Sequence, residues 1–190
     1  MMLVFMLEEL SMKVFLEGLL PRVLPEQVTY KLIPHEGKSD LEKSLRIKLR
    51  AWRTPDTRFI VVQDQDSGDC HRVKARLREI CDDAGRPDAL VRIACRELEA
   101  WFVADLDAVG RAYDLRALVE LQNKSKYRSP DLLGSPSREL AALVPGYGKV
   151  SGGRKLGPVV NLDNTRSPSF KNFVAGVRRL AAPEHRQSRP

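Results

Sequence analysis

Cysteine, histidine and aromatic residues are scarce in this 190-residue chain: three Cys, three His, two Trp and 6% aromatics. Cys70, Cys81 and Cys95 are odd in number and contain no C-x-x-C pair. That pattern speaks against a disulfide framework and against a zinc site, and makes a reducing cytoplasm the simplest setting. Long apolar runs are also missing. No stretch approaches the roughly 20 apolar residues that a membrane-spanning helix needs, so a soluble protein without a membrane partner is expected. The apolar opening MMLVFMLEEL has no basic flank, meets Glu8 and Glu9 early and lacks a small-residue cleavage site. It reads as a buried strand rather than a signal peptide.

What the chain does have is charge. Charged residues make up 30% and hydrophobic residues 43%, a balance suited to one globular domain with a substantial core. The formal net charge is +7. An excess of cations favours a polyanionic partner, because each Lys or Arg set against a phosphate releases condensed counterions. Nucleic acid is the partner expected, DNA or RNA being undecided on charge alone.

The first half alternates strand and helix signals. Apolar runs over residues 3–7, 28–33, 58–62 and 89–94 read as four buried strands. Between them lie a helix capped by Ser11 and ending near Leu24, with Pro21 kinking or stopping it, and a helix with Leu41, Leu45 and Leu49 along one face. A third, basic helix is capped by Asp69 and runs to about Ala84, before the breaker Gly85-Arg86-Pro87. The order βαβαβαβ implies a mostly parallel four-stranded α/β sheet flanked by helices over residues 1–95. From Arg96 the strand signals stop. Short helical segments follow, one beginning after Ser135 with Pro136 in its first turn, and a last amphipathic one from Phe170 to Leu180. Residues 96–182 are therefore expected as a helical extension packed on the core, and 183–190 as a disordered tail.

In such sheets ligands gather beyond the carboxyl ends of the strands, which is where the carboxylates fall. In VVQDQDSGDC, Asp64 and Asp66 are two apart at a strand end, so an extended backbone would send both to one side. Their mutual repulsion is relieved by a divalent cation, and Mg²⁺ (or Mn²⁺) prefers a few carboxylates plus waters and phosphate oxygens. Asp69 is either the helix cap or a further ligand. Glu8 follows the first strand in the same way, and an adjacent parallel strand would bring it to the aspartates. Glu97 and Glu99 follow the fourth strand, and one of them is expected in the site. Trp101 and Phe102 read as core. His35 reads as a loop or core histidine. Lys126, beside Lys124, Tyr127 and Arg128, and the set Lys149, Arg154 and Lys155 are candidate phosphate clamps. The stretch GYGKVSGGRK lacks the G-x-x-x-x-G-K-[ST] spacing and is no P-loop.

The placing of Glu8 after strand one and Asp64-x-Asp66 after strand three resembles the TOPRIM arrangement of topoisomerases, primases and OLD-type nucleases. More closely, the segments LEELS, FLEGLLP, HEGKSDLEKSL, QDQDSGDC, RELEAW, KYRSPD, GYGKVSG and SPSF resemble, in order, the TOPRIM-like domain-of-unknown-function family 4276. The resemblance implies a TOPRIM core with Mg²⁺ on the aspartates and Glu8 as a ligand or proton-transfer group. It also implies a nuclease effector of a phage-defence pair with an ABC-type ATPase, since some members act so. Glu9 and Leu10 depart from the pattern, standing where typical TOPRIM turns carry Gly and Pro.

The function expected from these features is a Mg²⁺-dependent nuclease with Glu8, Asp64, Asp66, Glu97 and Glu99 as catalytic candidates and Glu8, Asp64, Asp66 and Asp69 as metal candidates. Its alternative is a non-catalytic, metal-binding partner or regulator of an ATPase. A phosphatase with Asp64 as nucleophile fits less well. That class needs an acidic pair after a later strand, and Asp82 and Asp83 end a helix instead.

Overall fold

The computed structural model describes residues 1–182, so the expected tail at 183–190 lies outside the described residues. Four strands, β1 (Met2–Leu7), β2 (Thr29–Pro34), β3 (Thr57–Asp64) and β4 (Leu90–Ala94), form one sheet in the order β2-β1-β3-β4, every neighbour pair parallel. The connections are the helices α1 (Leu10–Val23), α2 (Lys38–Ala51) and α3 (Cys70–Asp83). The α/β class and the helical C-terminal half expected from the sequence are what the chain adopts.

Why the strands read as unbroken apolar runs is explained by what lies on either side. Leu3, Phe5, Leu7, Ile60 and Val62 point to one face, and Val4, Met6, Phe59 and Val61 to the other. Both faces are covered, so alternation of side chains does not become alternation of polarity. The second face is closed by α2, through Leu41, Leu45 and Leu49, and by α3, through Leu77 and Ile80. The first face is closed by α1 and by helices from the second half of the chain. These are α4 (Glu99–Val103), α5 (Leu106–Tyr113), α6 (Leu118–Leu121), α7 (Pro136–Leu143), α8 (Lys149–Leu156) and α9 (Pro168–Ala181). Trp101 and Phe102 are fully buried there. Trp101 stacks near Phe15, Phe170 and Phe173 and donates its indole N–H to Ser169 Oγ at 2.8 Å. A buried side chain of this size stabilises by roughly 1.5–3 kcal/mol. The extension therefore shares a core with the sheet.

Two local details differ from the sequence expectation. Helix α1 is preceded by Glu9, not Ser11, in the extended N-cap conformation, and Ser11 donates its hydroxyl to the Glu9 carboxylate from inside the first turn. Pro21 lies inside α1, which ends two residues later at Val23. With its missing N–H falling in the last turn, the proline removes one helix bond and no more.

The closest helix pair is α1 with α8. A β-carbon on Gly153 would lie 2.8 Å from Ser11 O, and one on Gly157 would lie 2.2 Å from Phe15 O. Only glycine lets the two backbones touch. Arg22 of α1 locks the far end, donating to Gly157 O at 3.2 Å and Val160 O at 2.8 Å. This contact carries the start of α8 to the carboxyl end of the sheet.

Candidate functional site

The carboxyl ends of β1, β3 and β4 are tied together by backbone hydrogen bonds. Glu8 N donates to Val62 O, and Gln65 N to Ala94 O. Asp64 is the last residue of β3 and has the parity of Ile60 and Val62, so it faces the layer of α1, α4 and α8. It is 3% exposed. Its amide donates to Glu8 Oε2 at 2.9 Å, which draws the Glu8 side chain across from the end of β1. Glu99, in the first turn of α4, is 0% exposed and enters from the same layer.

Two oxygens stand out. Asp64 Oδ1 and Glu99 Oε2 are buried without any hydrogen-bond partner. An unpaired buried acceptor costs about 1–3 kcal/mol, more when charged, so such atoms call for a ligand or a proton. Burial, reinforced by the charges of Glu8, Glu99 and Glu9, pushes the Asp64 carboxyl well above the usual carboxylate range. Glu99 is raised for the same first reason, against the pull of Lys149. Burial also lifts Glu8, to about 7, although the Asp64 amide and Lys38 favour its charged form.

The second half of the chain supplies the rest. Tyr147 donates its hydroxyl to Glu99 Oε1 at 3.2 Å, and burial followed by Glu99 raises its own pKa. Lys149, at the first position of α8, lies 3.6 Å from Glu9 Oε1. Burial works against its charge, but the carboxylates of Glu99, Glu9 and Asp64 outweigh it and hold the ammonium above its ordinary range. The sequence marks these residues only through the segment GYGKVSG. Tyr147 was not foreseen, and Lys149 was foreseen as a phosphate clamp without its carboxylate neighbours.

The other sequence candidates stand elsewhere. Asp66 lies past the end of β3 in the left-handed conformation, φ 52°. Its side chain is half exposed and paired with Lys38 Nζ at 2.6 Å. It does not follow Asp64 to one side, because the strand has ended. Its amide donates to Arg96 O at 2.7 Å, and Arg96, also left-handed, donates its amide to Gln65 Oε1 at 3.2 Å. Two strained residues hold each other beside the site. Asp69 caps α3, accepting from Arg72 N at 2.9 Å. Glu97 accepts from Ser137 N at 2.7 Å and so caps α7, while its charge still acts on Glu99 and Lys149. Lys126 is paired with Glu139 at 2.7 Å, and Lys155 lies over the Tyr113 ring at 4.3 Å. Arg154 is exposed on α8. His35 is buried and fixed to Leu7 O through Nδ1 at 2.8 Å, with burial holding it neutral-leaning.

Among the described residues, no three His, Cys, Asp or Glu side chains converge closely enough to hold a metal ion between them. Mg²⁺ does not need three. It commonly takes one or two carboxylates and completes its shell with water and substrate phosphate. The hard, unpaired oxygens of Asp64 and Glu99 fit that demand. Among the described residues no helix is long and apolar enough to cross a membrane.

No curated protein and no solved structure matches the chain. The model of the family Domain of unknown function (DUF4276) does, over residues 7–178, a span holding Glu8, Asp64, Glu99, Tyr147 and Lys149 alike. By that match, which covers most of its length, the chain belongs to the DUF4276 family.

Proposed function

We propose that this chain is a TOPRIM-like, Mg²⁺- or Mn²⁺-dependent phosphodiester hydrolase acting on nucleic acid. The observation that carries the reading is the pair of buried, unpartnered carboxylate oxygens on Asp64 and Glu99 beside Glu8, at the carboxyl end of a parallel sheet. Asp64 and Glu99 would hold the cation. When bound, it would supply charge neutralisation at the phosphate and a more acidic water.

The chain's own residues have distinct tasks in this reading. Glu8, with a carboxyl near 7, is poised to take the proton of the attacking water at neutral pH. The Asp64 amide fixes the Glu8 oxygen that it bonds, leaving the other for the water. Tyr147 orients Glu99 through its hydroxyl. Lys149, kept charged by the carboxylates around it, would meet a phosphate oxygen. Asp66, turned to Lys38, is left at the rim and outside the ligand set.

The resemblance to effectors paired with an ABC-type ATPase puts such a partner in the same proposal, to be tested by copurification. The central test is cleavage of plasmid, single-stranded DNA and transfer RNA with Mg²⁺ or Mn²⁺. Glu8→Gln should lower the rate by about 10²–10⁴, the range for a lost general base. Asp64→Asn and Glu99→Gln should abolish metal-dependent cleavage, and activity that survives both changes refutes the site.

A further inference from the structure

The fourth strand is an edge of the sheet, and a groove runs along it between α3 and α9. Two adjoining hollows of about 370 and 270 Å³ make up this groove, both lined by Lys74, Val91 and Arg92. The first reaches Cys95 and Asn172, and the second Arg78 and Arg179. Lys74 and Arg78 are one turn apart on α3, so they face the groove together.

Arg92 is its centre. Its Nε donates to Asn172 O and its Nη1 to Val91 O, each at 3.0 Å, while Nη2 has no hydrogen-bond partner among the described residues. The guanidinium lies against α9 at Gly176, where a β-carbon would stand 2.7 Å from Nη2. Glycine inside a helix costs about 1 kcal/mol relative to alanine. Here that cost makes room for an arginine that bonds only backbone carbonyls. Arg179 lies one turn further along α9, close enough for its charge to act on Arg92.

Four cations thus line one groove, and none of Lys74, Arg78, Arg92 and Arg179 pairs with a carboxylate among the described residues. Two acids touch the hollows. Asp131 is occupied by the Ser167 hydroxyl at 2.5 Å and the Ser169 amide at 2.8 Å, and Asp88 alone remains. Four cations facing one uncommitted carboxylate leave an excess of positive charge that an anion would balance. The strand beneath them spans about 13 Å, four steps of about 3.3 Å, and its end leads through Cys95 into the turn that carries Glu97 and Glu99.

We propose that this groove is a track for the sugar–phosphate backbone of a single nucleic-acid strand, delivering it to the carboxylates at the end of the sheet. Hollows of a few hundred cubic ångströms hold ligands of a nucleotide's dimensions, which suits a single strand. The lining offers cations and no aromatic ring, so recognition is of phosphates and independent of sequence. The delivery rests on the hydrolase reading; the binding does not.

The test is anisotropy of a labelled single-stranded dodecamer, DNA and RNA, in EDTA over a series of salt concentrations. The double change Lys74→Glu, Arg78→Glu alters one half-buried and one exposed side chain and should weaken binding by at least about tenfold at low salt, reducing the log–log salt slope by roughly 1.4, two contacts at about 0.7 each. Arg179→Glu should weaken it as well. The control Lys43→Glu, Arg46→Glu, the same charge change on exposed side chains of α2, should bind as the wild type. Unchanged affinity in the groove variants, an equal loss in the control, or no oligonucleotide binding by the wild type overturns the track. Tighter binding of a blunt duplex through the same residues also overturns it. Groove-dependent binding without cleavage sinks the hydrolase reading alone, whereas cleavage with unaffected groove variants sinks the track alone.

Discussion

Replacing Glu8 by glutamine should make the metal-free protein more stable at alkaline pH and leave it nearly unchanged near pH 4. The glutamine carbonyl can still accept the Asp64 amide, so the substitution removes a charge and keeps a hydrogen bond. Burial raises the Glu8 carboxyl from 4.5 to about 7. Between those values the folded protein holds a proton that the unfolded chain has released. The native state then binds more protons than the unfolded state, and the free energy of unfolding falls as pH rises. The loss begins near pH 4.5, is complete a little above 7, and is level beyond. Its size follows from ~1.4 kcal/mol per pH unit, which gives ~3 kcal/mol as an upper bound, since water screens part of the side chain. For a chain of this length 1 kcal/mol moves Tm by about 2–4 °C, so the variant should melt up to about 10 °C higher at pH 8.5 in EDTA. Asp64 titrates with Glu8 and shifts in the same direction, so the difference reports the pair. The assay is thermal unfolding of both proteins from pH 4 to 9. Parallel curves, with the same difference at every pH, would refute the claim that a buried charge is what strains this site. Mg²⁺ should restore the wild type at pH 8.5 and help the variant less, because a ligand stabilises only the state that binds it.

Other expectations follow from single contacts. Asp69→Ala removes the cap of α3 and should cost about 1 kcal/mol in a denaturant titration while leaving the Mg²⁺ response intact. Gly157→Ala would drive a β-carbon into Phe15 O, and should destabilise by about 1–3 kcal/mol or more in the same measurement. Lys149→Met removes the cation that favours ionised Asp64 and Glu99, so their proton release, and with it the rise of any pH–rate profile, should move to higher pH. A profile that stays in place would separate Lys149 from the site.

Much of the frame was legible in the chain itself. Strands buried on both faces announce themselves as unbroken apolar runs, and Leu41, Leu45 and Leu49 mark the inner face of α2 at helical spacing. Asp69 could be named a cap because helix ends have orphan amides that an aspartate satisfies. The site was legible only where it follows strand ends, as Glu8 and Asp64 do. The direction of Asp66 was not legible, because it depends on where β3 stops, and the bond that holds the turn there comes from Arg96, thirty residues on. Glu97 and Glu99 could not be told apart until α7 took one of them as its cap. Tyr147 left no periodic or spacing signal, since it arrives through two glycines on a helix whose partner is more than a hundred residues away.

The packing of α8 on α1 also bears on when the site comes into being. A nascent chain that has extended through residue 95 already contains Glu8 and Asp64, yet has neither Glu99 to share the ligand's place nor Tyr147 and Lys149 to order and balance it. α1 meanwhile lacks the helix that covers it. The burial that alters the protonation of these carboxylates therefore includes a contribution from helices of the last third of the chain. Any chemistry they perform in that environment thereby depends on the completed fold.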